Sequence, residues 1–283
     1  MNLRTKRKIA QIESIRWDLF SPEDQAWIFR AMLSSGKKLQ QLQDIEGEVS
    51  YLAHSKGYCH CCCTVSDFSS TDVWLRDHFV CHNCGSSPRE RNFVRTLDEL
   101  IPAWKNKIIH ESSPSVSGGS FSTLDNYSAS YFLPERSLGE IISPSCTVQN
   151  LEKLTFEDDS FDLFFTQDVM EHVFNPQRAF NEILRVIKPG GWHIFSTLRH
   201  VTQRCSKQRA KLVGGSVIHI KEPIYHGNPV DDKGALVTYD WGRDFEKLVY
   251  KWTGCELKTF NKSDSSRGIA GAMFETFAMQ KNA

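Results

Sequence analysis

Net charge is the first thing this sequence lacks. Its 34 basic and 34 acidic side chains cancel over 283 residues. A neutral chain has no field with which to gather nucleic acid or an anionic membrane surface, so neither is expected as the main partner. Long apolar runs are missing too, and none approaches the roughly 20 residues that span a bilayer. The opening, Met1-Asn2-Leu3-Arg4-Thr5-Lys6-Arg7-Lys8, has no apolar core of the kind a signal peptide needs. These absences point to a cytoplasmic protein with no membrane attachment. Internal repeats and low-complexity segments are also absent. The remaining composition, 40% hydrophobic and 24% charged, is that of a globular chain. It is long enough for a large core plus a smaller module.

What the chain does have is cysteine, nine in all. In a reducing compartment that number suggests metal or free thiols rather than a disulfide framework. Cys59 and Cys62 form one C-x-x-C, and Cys81 and Cys84 form another, followed by Gly85. Two such knuckles can present four thiolates tetrahedrally to zinc, which predicts a structural zinc ribbon over 56–88. His60, Cys61 and Cys63 leave the first knuckle with alternative ligands. A site closed by four thiolates has no position for water, so this metal is not expected to catalyse; redox chemistry is the other use of such thiols. Before the ribbon, 1–55 reads as helical. Ser21-Pro22-Glu23-Asp24 makes a helix start, and Leu39, Leu42, Ile45 and Val49 stripe a second helix over Lys38–Ala53. Packing or homodimerisation is the expected use of these helices, ahead of a substrate-binding one. Pro88–Leu100 reads as a connecting helix. Its Arg89 and Arg91 could hold an anion, although a solvated helix face is the commoner fate of arginine.

The densest pattern lies at Phe156–Leu198. Phe161, Leu163, Phe164 and Phe165 read as a buried strand. Asn175-Pro176 starts a helix with Ala179, Phe180, Ile183, Leu184 and Ile187 on one face. Lys188-Pro189-Gly190-Gly191 stops it, and Trp192–Thr197 reads as a second strand. Strand, helix, strand is a βαβ unit and implies a parallel sheet. The ordered set Leu154-Thr155-Phe156, Ser160-Phe161-Asp162, Glu171-His172-Val173, Arg185-Val186 and Lys188-Pro189-Gly190-Gly191 resembles the class I S-adenosylmethionine-dependent methyltransferase domain, in its type 11 branch. The bland reading is another doubly wound α/β domain.

The resemblance implies an α/β fold, a seven-stranded Rossmann-like sheet over 89–283, joined to the N-terminal helical segment and the zinc module. It implies S-adenosylmethionine as cofactor, held by Glu111, Ser113, Ser115, Asn150, Leu151, Gln167 and Asp168. Lys107–Glu111 would be the first strand. The family usually follows that acid with a Gly-x-Gly loop, whose glycines let the backbone approach the cofactor. Here Ser113 and Ser115 stand in those places, with Gly118-Gly119 beyond. Tyr127–Phe132 and Cys146–Gln149 would be the second and third strands. No acid stands at the end of Tyr127–Phe132 to hold the ribose; Glu135 comes late and Asp125 early. Asn150 stands where the family often has Asp. Asp240–Trp252 reads as a helix, and Glu256–Phe260 and Met273–Met279 as two last strands.

The connection over 199–239 is far longer than an ordinary βα link and leaves from the functional edge of the sheet, which predicts a substrate lid. Tyr225, His226 and Asn228, bracketed by Pro223, Gly227 and Pro229, are its expected substrate contacts. A hydroxyl acceptor must lose a proton. His226 and His172 are the candidate bases, with Asp168 the third catalytic candidate. Asp168, Glu171 and His172 also match an acid-x-x-Glu-His cluster of the ubiquinone-biosynthesis O-methyltransferases that resembles a divalent-metal site. Hydrogen bonds anchoring the loop are the alternative use of Glu171 and His172. The expected activity is O-methylation of a small polar acceptor, for instance a sugar or glycan precursor. Competing readings are an RNA methyltransferase with a zinc-ribbon recognition module and a non-catalytic zinc-ribbon scaffold.

Overall fold

The computed structural model describes residues 52–114, 121–227 and 233–282. The helices expected over 1–51, and any dimer contact through them, lie outside the described residues, as do Ser115, Gly118, Gly119 and Asn228. No helix among the described residues is long and apolar enough to cross a membrane.

The chain enters as strand β1 (Ala53–Cys59), where the second N-terminal helix was expected to reach Ala53. Strand β2 (Thr64–Ser70), a single helical turn α1 (Leu75–His78) and the short β3 (Val80–Cys81) follow. The three strands pair antiparallel in sequence order. Cys59 pairs with Thr64 at the mouth of the hairpin, so the first knuckle is the hairpin turn itself. Phe68 and Phe79 fill a small core beneath the cysteines. Gly57 is where this module meets the rest of the chain. A Cβ there would stand 1.7 Å from the Ser266 carbonyl oxygen, so no larger residue fits.

Helix α2 (Pro88–Leu100) leaves the module through a capping box. The Ser87 amide and hydroxyl both donate to the Glu90 carboxylate, at 2.8 and 2.9 Å. Neither of its flagged arginines is solvated. Arg91 is fully buried, donating to the Phe79 and Gly268 carbonyls with its plane over the Phe68 ring. Arg89 bonds Asp77.

The large sheet follows: β4 (Ile109–Ser112), β5 (Tyr127–Tyr131), β6 (Ile141–Ser143), β7 (Cys146–Val148), β8 (Phe161–Gln167) and β9 (Ile187–Ser196). Within 199–240 lie β10 (Lys207–Gln208), β11 (Ala210–Val213), β12 (Ser216–His219), β13 (Tyr225–His226), β14 (Ala235–Leu236) and β15 (Tyr239–Asp240). The chain then returns to the large sheet as β16 (Leu257–Phe260) and β17 (Thr276–Gln280). Eight strands stand in the order β6-β7-β5-β4-β8-β9-β17-β16. Seven of them answer to the expected sheet. The eighth, β6, is an exposed edge strand of three residues, too short to show a period. The pairs among β7, β5, β4, β8 and β9 are parallel, and β17 runs antiparallel between β9 and β16.

Alternation along the central strands explains both faces. Phe164, Phe195 and Phe277 point to one side, under helix α3 (Pro176–Val186) and helix α4 (Phe245–Thr253). Leu163, Phe165, Ile194 and Ala278 point to the other, under α2. Each fully buried phenylalanine stabilises the fold by roughly 1.5–3 kcal/mol relative to an exposed one. Helix α3 is capped by the Asn175 side chain, which accepts from the Arg178 amide. It stops at Val186, so Ile187, assigned above to its apolar face, instead opens β9. Helix α4 starts at Phe245 rather than Asp240, because Tyr239 and Asp240 pair as β15 with β10. Gly254 ends it in a left-handed conformation.

Candidate functional site

Strand order fixes where a ligand can enter. From β4 the chain moves one way to β5 and β7, then crosses back to β8 and β9 on the other side. The crevice beyond the carboxyl ends of β4 and β8 is therefore a topological switch point. Glu111 and Ser112 end one strand there, and Gln167 ends the other.

Glu111 is buried, and both its oxygens are taken. Tyr127 donates its hydroxyl at 2.8 Å and Gln167 its amide at 2.9 Å. Burial pushes the Glu111 carboxyl up from its ordinary value. The acid and Gln167 thus bind each other and brace the floor of the crevice. Ser113 follows with φ of 54°, the left-handed region that glycine adopts freely. Its amide donates to the Ser130 carbonyl at 2.7 Å. At Ser113, therefore, a serine takes up the backbone conformation that the first glycine of a Gly-x-Gly loop adopts freely. On the far side, Asn150 folds its side chain back to accept from the Glu152 amide at 2.8 Å, and Leu151 is buried beside it. Glu152 accepts from the Phe174 and Asn175 amides and ties this loop to the entry of α3. A tight strand-end turn of small residues facing a braced second loop fits S-adenosylmethionine.

Asp168 has a different task from those expected of it. Arg76 of the cysteine module donates to both its oxygens from one nitrogen, Nη2, at 2.6 and 2.7 Å, and from Nε to the Met273 carbonyl. Arg89 stands 3.6 Å away, and the Ser196 hydroxyl adds a fourth contact at 2.9 Å. Burial would raise this carboxyl, but the two arginines hold it well below the usual carboxylate range. An ionised acid saturated by arginine is a clamp between module and sheet. It is not placed to act as a base or a metal ligand.

Glu171, His172 and His226 do come together. The turn after β8 is not helical, yet one ligand atom from each lies within 4.8 Å of the others. Glu171 is buried. Thr197 donates to its Oε2 at 2.7 Å, and its Oε1 has no hydrogen-bond partner among the described residues. Burial, then the nearby Asp168 charge, push its carboxyl up. His172 Nδ1 lies 2.9 Å from the Leu236 carbonyl. A carbonyl only accepts, so Nδ1 carries a proton, and in the neutral ring Nε2 is then the acceptor. His226 reaches this place from β13, pinned by pairing with Ala235, and its ring meets that of His172 edge-on at 5.3 Å. Desolvation, then His172, hold the His226 imidazole below its ordinary value. Beside them opens a cavity of about 350 Å³, lined by Glu171, Thr202, Gln203, His226, Tyr239 and Asp240 among others. The 199–239 connection supplies most of that lining. Tyr225, expected at the acceptor, is 54% exposed and does not line the cavity.

The four expected cysteines also converge. Their sulfurs lie within 4.8 Å of one another, with Cys59–Cys84 at 3.8 Å and Cys62–Cys81 at 4.0 Å. A tetrahedron with zinc–sulfur bonds near 2.3 Å has sulfur–sulfur edges of about 3.8 Å, so the set fits zinc. His60 is not available to it, being held by Asp98 at 2.7 Å and by Arg267. Buried Arg91 makes no ion pair with a carboxylate among the described residues; burial lowers its pKa, and Cys59, Cys61, Cys81 and Cys84, as thiolates, would oppose that.

The family model for a methyltransferase domain matches residues 127–195. The chain carries a methyltransferase domain. The match runs from β5 to the end of β9, through β8 and its crevice. Over 57 residues the chain is 40% identical to the ubiquinone/menaquinone biosynthesis C-methyltransferase UbiE of Hydrogenovibrio crunogenus. Over 47 residues it is 45% identical to the malonyl-acyl-carrier-protein O-methyltransferase of a Marinomonas species. The similarity takes in 20% and 17% of this chain, and the chain spans only 22% and 17% of those two proteins. An S-adenosylmethionine-dependent methyltransferase from Mesorhizobium loti superposes with a TM-score of 0.44 at 14% identity, over 67% of this chain and 98% of that one. The clamp residue Arg76, in the cysteine module, was missed by sequence reasoning. It lies 92 residues from Asp168, outside any motif. Thr197 and Glu152 were missed too, and nothing in their local sequence marks them.

Proposed function

We propose that this protein transfers a methyl group from S-adenosylmethionine to a hydroxyl of a small polar acceptor, sugar-like in its hydrogen-bonding groups. The observation that carries the reading is one wall shared by two spaces. Strand β8 ends at the switch-point crevice, and Glu171, just beyond it, lines the cavity under the 199–239 connection. Cofactor and acceptor would meet across that wall.

When bound, S-adenosylmethionine supplies an electrophilic methyl group. The protein's own part is to align and to take a proton. Ser113 and the Asn150–Leu151 loop would hold the two ends of the cofactor, with Glu111 and Gln167 fixing the floor between them. The cavity's Thr202 and Gln203 offer donors and acceptors to a polyol, and Tyr239 a flat face, while Asp240 is already held by Arg209 and Lys221. The connection would limit the access of water to that space. His226, kept neutral by burial, and His172, with its free Nε2, are the two groups that can accept the acceptor's proton. The cysteine module, closed by four sulfurs, would hold zinc for structure only.

Calorimetric titration of S-adenosylmethionine into the full chain tests the reading first. Binding is expected, and Ser113→Leu should abolish it in a chain that still folds. Absence of binding in the unaltered chain would favour the scaffold reading. Turnover, once an acceptor is in hand, should fall roughly 100-fold in whichever of His226→Ala and His172→Ala removes the base, with cofactor affinity intact. Methyl transfer to carbon, or onto RNA with steep salt dependence, would refute the acceptor class while leaving the cofactor site standing.

A further inference from the structure

The cluster beside the cavity has more order than a proton acceptor needs. Two imidazoles and one carboxylate present ligand atoms within 4.8 Å of one another. Each of two ligands has an outer partner that fixes it. His172 is oriented by the Leu236 carbonyl through Nδ1, which leaves Nε2 as the coordinating atom. Glu171 is oriented by Thr197 through Oε2, while Oε1, buried, has no hydrogen-bond partner among the described residues. Burying a carboxylate oxygen without a partner is costly, and a cation is the partner that removes the cost. Outer hydrogen bonds to a carbonyl and a hydroxyl are what metal-ligating histidines and carboxylates require. Asp168 takes no part, because Arg76 saturates it.

We propose that Glu171, His172 and His226 bind a divalent first-row transition-metal ion, at a site separate from the cysteine cluster. Two imidazoles favour such an ion over magnesium or calcium, which prefer all-oxygen ligands. Three protein ligands leave coordination positions open, and Glu171 and His226 line the cavity, so those positions face it. Its role rests on the acceptor reading above: the ion would orient an acceptor hydroxyl and make its proton easier to lose. Its existence does not rest on that reading. His226 comes from the 199–239 connection, so the ion would also bind that connection to the sheet.

The test uses the full chain with zinc already supplied to its cysteines, titrated with Co2+ and followed by visible absorption and elemental analysis. One Co2+ per chain is expected, with weak d–d bands and no thiolate-to-cobalt charge transfer. His226→Ala and Glu171→Gln should each weaken it at least about 10-fold, the loss that even an outer-sphere partner causes. His219→Ala, on exposed β12, should not. If Glu171→Gln does not fold, His226→Ala alone decides. Unchanged affinity in His226→Ala, no Co2+ uptake, or uptake showing only thiolate charge transfer overturns the proposal. Calorimetry of S-adenosylmethionine on the same proteins keeps the two readings apart. Cofactor binding without Co2+ uptake defeats only the metal site, and Co2+ uptake without cofactor binding defeats only the methyltransferase reading.

Discussion

The crevice wall and the cavity wall are built from the same few residues after β8, yet they differ in how their polar groups are used. On the crevice side Asp168 is saturated, with two contacts from Arg76, one from Ser196 and Arg89 at hand. Glu111 is equally occupied, by Tyr127 and Gln167. On the cavity side Glu171 keeps one oxygen unpartnered, and His172 keeps one ring nitrogen as an acceptor. Saturated polar groups rigidify, and buried groups left open are where a ligand or a reaction restores the balance. By that measure the crevice is a preformed frame, and the cavity is where the proposed chemistry would be done. The frame is not built by the sheet alone, since its clamp comes from the cysteine module.

The strongest way to break this comparison is to remove the zinc proposed for the module. Elemental analysis of the purified chain should find about one zinc per chain. Cys59→Ser, or a strong chelator, should unfold the module, because structural zinc supplies roughly 10–16 kcal/mol of folding free energy in small zinc modules. Arg76, on the helical turn between β2 and β3, would then lose its support, and affinity for S-adenosylmethionine should fall with it. A chain holding less than a tenth of an equivalent of zinc, and indifferent to chelator, would show that the ribbon stands on its own core.

A narrower cut removes only the clamp. Arg76→Ala leaves Asp168 with Ser196 and the more distant Arg89. Breaking a buried pair costs about 3–5 kcal/mol; with Asp168 22% exposed and still partly satisfied, about 2–3 is expected. The double variant Arg76→Met, Asp168→Asn should recover part of that loss. Denaturant midpoints measure both. If Arg76→Ala is neutral in stability and in cofactor affinity, the crevice frame is independent of the module.

How much of this was legible follows from the range of the interactions. The β8–α3–β9 unit could be read because its signals are local: an apolar run, Asn175-Pro176 at a helix start, a glycine pair at its end. The cysteine knuckles were legible because metal chemistry fixes spacing. Asp168 was misjudged because its partner, Arg76, is brought to it only by the packing of the module. Adjacency in sequence suggested that Asp168 would share a face with Glu171 and His172. The chain instead turns at Asp168 with φ of 53°, and Arg76 takes up its carboxylate. His226 was chosen as a polar residue in a long connection; its meeting with His172 depends on the β13–β14 pairing, for which two-residue strands leave no pattern.

The finest test concerns Ser113, where the crevice departs from glycine. A left-handed conformation costs a non-glycine residue about 1–2 kcal/mol, and glycine gives back about 0.5–1 in unfolded-state entropy. Ser113→Gly should therefore stabilise the chain by roughly 0.5–1 kcal/mol, read as a higher denaturant midpoint at unchanged slope. Ser113→Ala keeps the strain and removes only the hydroxyl. If the turn's backbone is what meets the cofactor, both variants should bind S-adenosylmethionine as the original does. A tenfold loss common to both would instead make the Ser113 hydroxyl a direct contact. The serine would then be a replacement with its own function, accepted at the cost of strain, and the crevice would hold an open polar group of the kind found in the cavity.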